Sequence, residues 1–178
     1  MQAKAGISLE TKRLVLMALF IALSLLGANI KIFGTIAFDS LPGFVAALVL
    51  GPAYGALIGF FGHLLTALTS GFPLMIPVHM AIATSMAITM LGFGFAYQLL
   101  SKKLSLICRL ALTGLIGIIL NGPVSLVFSI GAMALMVGPE AAWGLVAILP
   151  ILVLAAAANV LLSMIIYCRL KNIWSQIR

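Results

Sequence analysis

Residues Phe61–Met80, FGHLLTALTSGFPLMIPVHM, make an apolar run broken once, at Ser70-Gly71-Phe72-Pro73, and they hold both histidines of the chain. Glycine and proline at the break mark a tight turn. The run therefore predicts the end of one membrane helix, a turn, and the start of the next, with His63 inside the bilayer and His79 near its surface. Polar side chains in hydrocarbon are costly and face a partner or a cavity. Two helices carrying such groups across one turn suggest one wall of a binding pocket.

The rest of the chain has the same character. Of 178 residues, 64% are hydrophobic and 7% charged, with a mean hydropathy of +1.31, far outside the range of a soluble domain. The apolar segments are long and lack the alternation of porin strands, and a lone segment in lipid must satisfy its own backbone hydrogen bonds. These features predict an all-α integral membrane protein forming one domain over residues 1–178. Ten Lys and Arg stand against three acids, yet they do not form a nucleic-acid face. They fall in three groups flanking apolar segments: Lys4, Lys12 and Arg13; Lys102, Lys103 and Arg109; Arg169, Lys171 and Arg178. That is the positive-inside pattern, and topology accounts for the excess charge.

The basic N-terminal stretch before Leu14–Leu26 has the outline of a signal peptide. It lacks a small-x-small cleavage site and continues as a full-length span, so it is expected to be a retained first helix. Cys108 and Cys168 fall at the cytoplasmic ends of their expected helices, as packing cysteines rather than metal ligands.

Parity sets the number of spans. The first and second basic groups must share a side, so an even number of spans separates them, whereas one long helix through Phe44–Leu68 gives three. The segment is therefore split at Gly51-Pro52, since glycine ends a helix well and proline starts one well. The expected spans are about 11–30, 36–50, 52–69, 77–100, 110–136 and 142–168. This makes six transmembrane helices with both termini cytoplasmic in a cell membrane. Asn121-Gly122-Pro123 is expected to kink the fifth, and Pro150 lies in the outer half of the sixth.

Few polar groups lie within these spans. Asn121 and His63 fall roughly mid-depth and Asn159 somewhat inside the midplane; each can clamp helices together or meet a ligand. His79, beside Met80 and with Met86 further down the helix, is the stronger ligand candidate, and methionines offer an adaptable surface for a flat ring. Lys31 and Asp39 bracket the first outer loop. Lys31 can snorkel as an anchor or contact a polar ligand group, and a lone carboxylate such as Asp39 at an apolar boundary wants a partner. Phe33, Phe38, Phe72 and Trp143 are expected at the outer edge, as an aromatic belt with one or two able to stack on a ligand. On helix one, Ala18-x-x-x-Ala22 is a spacing that permits close helix approach.

No phosphate-binding loop, HExxH, serine elbow or acidic pair occurs, and no acidic or histidine chain marks an ion path. The expectation is a binding protein with no catalytic residue, no cofactor and no metal site.

The loop KIFGTIAFDSLPGF (31–44) and the run LGPAYGALIGFFGHLLTALTSGFPL (50–74) resemble the substrate-binding S-components of energy-coupling factor (ECF) transporters, and the resemblance extends over essentially the whole chain. It implies a carrier for a vitamin or vitamin precursor, with an outward pocket between the first outer loop and helices four to six. It further implies a T-component that docks on Ala18 and Ala22, two ATP-binding cassette ATPases that supply the energy, and toppling in the membrane to release cargo. The wording LFIALSLLGANIKI and IAFDSLPGF is most similar to carriers for α-ribazole, the dimethylbenzimidazole riboside of cobalamin assembly. Met80, Met86 and an aromatic edge would take the ring, and Asn121, Asn159, His79 or Asp39 the hydroxyls. Other heterocyclic vitamins such as riboflavin fit the same inventory, as does pantothenate if Lys31 turns inward. An autonomous facilitator or channel, or a structural membrane subunit without ligand, are the rival readings.

Overall fold

The computed structural model describes residues 8–29, 31–32 and 36–174. Helix α1 (Leu9–Asn29) starts where Ser8 Oγ accepts the Thr11 N–H at 3.1 Å, with Glu10 in its first turn, where a negative charge suits the helix dipole. Two-residue strands β1 (Lys31–Ile32) and β2 (Ile36–Ala37) pair antiparallel, Lys31 opposite Ala37. The chain then turns back onto α1, where the Phe38 N–H donates to the Gly27 carbonyl at 3.1 Å. A Cβ at Gly27 would collide with the Phe38 carbonyl oxygen, so this return requires glycine.

Helix α2 (Leu41–Val49) is shorter than the expected 36–50, because Ile36 and Ala37 are spent in the strand pair. Nine residues rise about 13.5 Å, less than half of a ~30 Å hydrocarbon layer. Every residue from Pro42 to Val49 is buried, as expected for a helix that is apolar all round. It ends at Gly51 (φ 111°), and Pro52 opens α3 (Pro52–Thr69). The turn after α3 uses left-handed backbone at Gly71, Phe72 and Met75, with the Phe72 N–H returning to the Ala67 carbonyl at 2.8 Å. Helix α4 (Ile76–Leu100) follows, then α5 (Leu106–Ile119), whose cap Ser105 accepts the Cys108 N–H.

At the expected kink the structure has a π-helical turn, Leu120–Val124, before α6 (Ser125–Val137). Pro123 has no N–H for the Ile119 carbonyl, and the wider turn absorbs the missing bond. Gly138 (φ 107°) separates α6 from α7 (Pro139–Trp143), a 3-10 segment over Gly144–Ile148, and α8 (Leu149–Trp174). Pro150 sits in the first turn of α8, where proline costs no helix hydrogen bond.

Among the described residues the chain forms six helical segments, five of them long and apolar enough to cross a membrane. The core centres on α2, where Phe44 packs edge-on to Phe93 at 4.8 Å, amid Leu48, Met90, Val160 and Met164. A second cluster joins Phe20 of α1 to Val45, Val49 and Ile58. Large apolar side chains such as Leu14, Leu19, Leu26, Leu135 and Leu161 are exposed on the outside, the inverse of a water-soluble surface and the arrangement of a multi-pass membrane protein.

Candidate functional site

A cavity of ≈ 170 Å³ lies where α2 begins. The turn into α2 supplies Asp39 and Ser40, α3 supplies His63, and α4 supplies Ile82 and Met86. The rest of the lining is Asn121 from the π turn, Ser125 from α6, and Leu152, Ala155, Ala156 and Asn159 from α8. Five residues singled out in the sequence, Asp39, His63, Met86, Asn121 and Asn159, therefore meet here from five different parts of the chain.

Local hydrogen bonds hold these side chains in place. Asn121, on the widened turn, donates to Ser40 Oγ at 3.3 Å; Ser40 makes no capping bond to α2. Asn159 donates to the Ala155 carbonyl one turn back, at 2.8 Å. Ser85 donates to the Ile82 carbonyl and its oxygen lies 2.7 Å from Ser125 Oγ.

The histidines form a chain leading out of the cavity. His63 Nδ1 stands 3.8 Å from Asp39 Oδ2, beyond hydrogen-bond length. His63 Nε2 lies 3.2 Å from His79 Nδ1, and His79 Nε2 accepts the Leu74 N–H at 3.4 Å. A backbone N–H can only donate, so His79 Nε2 carries a lone pair and its Nδ1 the proton in the neutral ring. His79 Nδ1–H then donates to His63 Nε2, which leaves the proton of His63 on Nδ1, toward Asp39. Phe72 packs against the His79 ring, 5.7 Å between centroids, so the left-handed turn after α3 is tied to the cavity wall.

The remaining residues singled out by sequence lie elsewhere. His79 is buried behind His63 rather than lining the cavity. Met80 is 42% exposed and does not line it. The backbone of Lys31 is paired in β1; its side chain and all of Phe33 lie outside the described residues. Ala18 and Ala22 are exposed on α1, while Phe20, Ser24, Gly27 and Ala28 face inward. The fold thus leaves the small-residue spacing free on the outer surface.

Sequence reading missed Ser40, Ser85 and Ser125. A signal existed for Ser125, since Asn121, Ser125 and Ser129 repeat every four residues and so form a polar stripe on one helix face.

A larger polar cavity, ≈ 360 Å³, opens at the other end of α2 beside Gly51, Gln98 and Ser101. There Arg109 donates to Tyr97 OH at 2.7 Å, Tyr97 OH donates to Tyr167 OH at 2.9 Å, and the guanidinium lies 4.1 Å from the centre of the Tyr97 ring. These groups are engaged with one another and lock α4, α5 and α8 together. Among the described residues no group of three or more His, Cys, Asp or Glu is placed to hold a metal ion.

Helical segments with an apolar exterior, enclosing a small cavity lined by both polar and apolar side chains, define a polytopic membrane protein. Residues 12–171 match the family described as ECF transporter, substrate-specific component, and the chain belongs to that family. No curated protein and no solved structure matches the chain. Membership makes it a substrate-binding subunit of an ECF transporter, with a small-molecule substrate and further ECF subunits as partners.

Proposed function

We propose that this chain captures a vitamin or vitamin precursor from outside the cell, with α-ribazole as the preferred substrate, and hands it inward without chemistry of its own. The observation that carries the reading is the convergence of Asp39, His63, Met86, Asn121 and Asn159 on one cavity, a polar constellation of the kind that orients a ligand inside an apolar protein. A T-component would dock on the exposed Ala18 and Ala22, and two ABC ATPases would hydrolyse the ATP. Both termini would be cytoplasmic, which puts the basic residues Lys12, Arg13, Lys102, Lys103, Arg109, Arg169 and Lys171 on the inner side. The cavity would then open outward.

A benzimidazole ring would lie against Met86, with ribose hydroxyls reaching Asn121, Ser125 and Asn159. The enclosed volume, ≈ 170 Å³, is below the ~300–1,000 Å³ common for drug-sized ligands, so the ribose would extend beyond it. That volume favours a second reading, a single-ring solute held whole.

Mass spectrometry of the small molecule that travels with the purified protein tests both readings. α-Ribazole or a single-ring vitamin precursor is expected, and a bound peptide or lipid in its place would refute them. Uptake is expected only when T-component and ATPases are co-expressed, and brisk transport by the lone chain in liposomes would indicate a facilitator.

A further inference from the structure

We infer that the chain from Leu74 through His79 and His63 to Asp39 fixes the polarity of the cavity edge, so that the site takes uncharged or cationic solutes presenting an acceptor beside a donor and refuses carboxylates. The inference rests on the solute-binding reading above and narrows its substrate class.

The starting point is the Leu74 N–H, which has no choice of role. It sets His79 Nε2 as acceptor at 3.4 Å, which sets His63 Nε2 as acceptor at 3.2 Å. His63 is thereby left with Nδ1–H as a donor at the cavity, beside the Asp39 carboxylate, which only accepts. The two atoms are 3.8 Å apart, too far to satisfy each other and close enough for one ligand edge to engage both. A ring nitrogen next to an exocyclic amine has that acceptor–donor pattern, as does the C=O and N–H of a cis-lactam.

Charge points the same way. Asp39 and His63 are the only ionisable groups among the described residues lining the cavity; Ser40, Asn121, Ser125 and Asn159 are neutral. With His63 neutral, an incoming carboxylate meets Asp39 with no described cation in the lining, and like charges brought together at an interface repel. A neutral or cationic solute meets no such penalty.

The chain has only two histidines, so histidine labelled with ¹⁵N reads both tautomers in the purified, ligand-free protein. At pH 8, where an ordinary imidazole is neutral, both rings are expected as Nδ1–H. Finding His63 as Nε2–H would overturn the inference and leave the receptor reading intact. Calorimetry at the same pH with matched pairs, nicotinamide against nicotinate and panthenol against pantothenate, together with α-ribazole, tests the charge rule. The neutral member of any pair that binds is expected to win by ~30-fold or more, and Asp39→Asn is expected to narrow that gap. A carboxylate binding as tightly as its neutral partner, or a gap unchanged in Asp39→Asn, would overturn it. If no probe binds and no solute co-purifies, the receptor reading falls, and this inference with it.

Discussion

Gly55→Val should damage the protein through α2 rather than through the cavity directly. A Cβ at Gly55 would lie 2.6 Å from Ala47 Cβ, 2.9 Å from Ala47 Cα and 3.0 Å from its nitrogen, whereas carbon atoms rest at about 3.5–4.0 Å. The obstructing atoms are backbone and a methyl stub, so no side chain can swing aside, and α2 and α3 must part by about 1 Å. Helix α2 has nowhere to go, because every residue from Pro42 to Val49 is buried and Phe44 is already packed on Phe93. Overpacking of this kind costs about 1–3 kcal/mol, and valine's two further methyls place it toward the upper end. At about 2–4 °C per kcal/mol for a chain of this size, the midpoint of thermal unfolding in detergent should fall by about 4–12 °C. Solute affinity should fall too, because Asp39 and Ser40 ride on the start of α2. Gly131→Ala is the control: nothing lies within 4 Å of the added Cβ, and alanine is the better helix former by roughly 0.5–1 kcal/mol. A Gly55→Val midpoint within a degree of the parent would refute the claim that contact between α2 and α3 sets the stability.

Bulky replacement of the exposed Ala18 or Ala22, such as Ala22→Trp, is expected to leave solute binding by the isolated chain unchanged and abolish uptake by the assembled transporter; equal loss of both would mean that α1 shapes the pocket. His79→Ala removes the acceptor of the Leu74 N–H and the donor to His63, two bonds worth about 1 kcal/mol of stability each, and affinity should drop because His63 is no longer held in one tautomer. Lys31→Ala should change it less, and calorimetry ranks the two. Tyr97→Phe deletes the hydroxyl between Arg109 and Tyr167. It should lower thermal stability by about 1–3 kcal/mol with affinity unchanged, since Tyr97 stands about 16 Å along α4 from Met86.

Much of this architecture was legible because punctuation carries it. Gly51-Pro52 ends one helix and starts another, Ser70–Pro73 turns the chain, and Asn121–Pro123 distorts the fifth segment, each through a backbone constraint that a sequence displays. The length of α2 was hidden because a helix buried on all sides has no amphipathic period, so nothing marks where it yields to the strand pair at Ile36–Ala37. The serines were hidden for another reason. Serine in an apolar helix commonly bonds back to its own turn, as Ser24 and Ser129 do; the four-residue stripe marks the face of Ser125, but its partner Ser85 emerges only from packing. Met80 and Met86 could have been told apart, since at about 100° per residue His79 and Met86 share a helix face that Met80 does not.

The shortness of α2 also bears on how the protein is made. A ribosome-bound chain offers the insertion machinery α2 as nine apolar residues, too few to be retained in lipid unaided, with α3 following after two residues. The two must enter together as a hairpin, joined at Ala47 and Gly55, and a nascent chain stopped after Leu50 should fail to keep α2 in the bilayer.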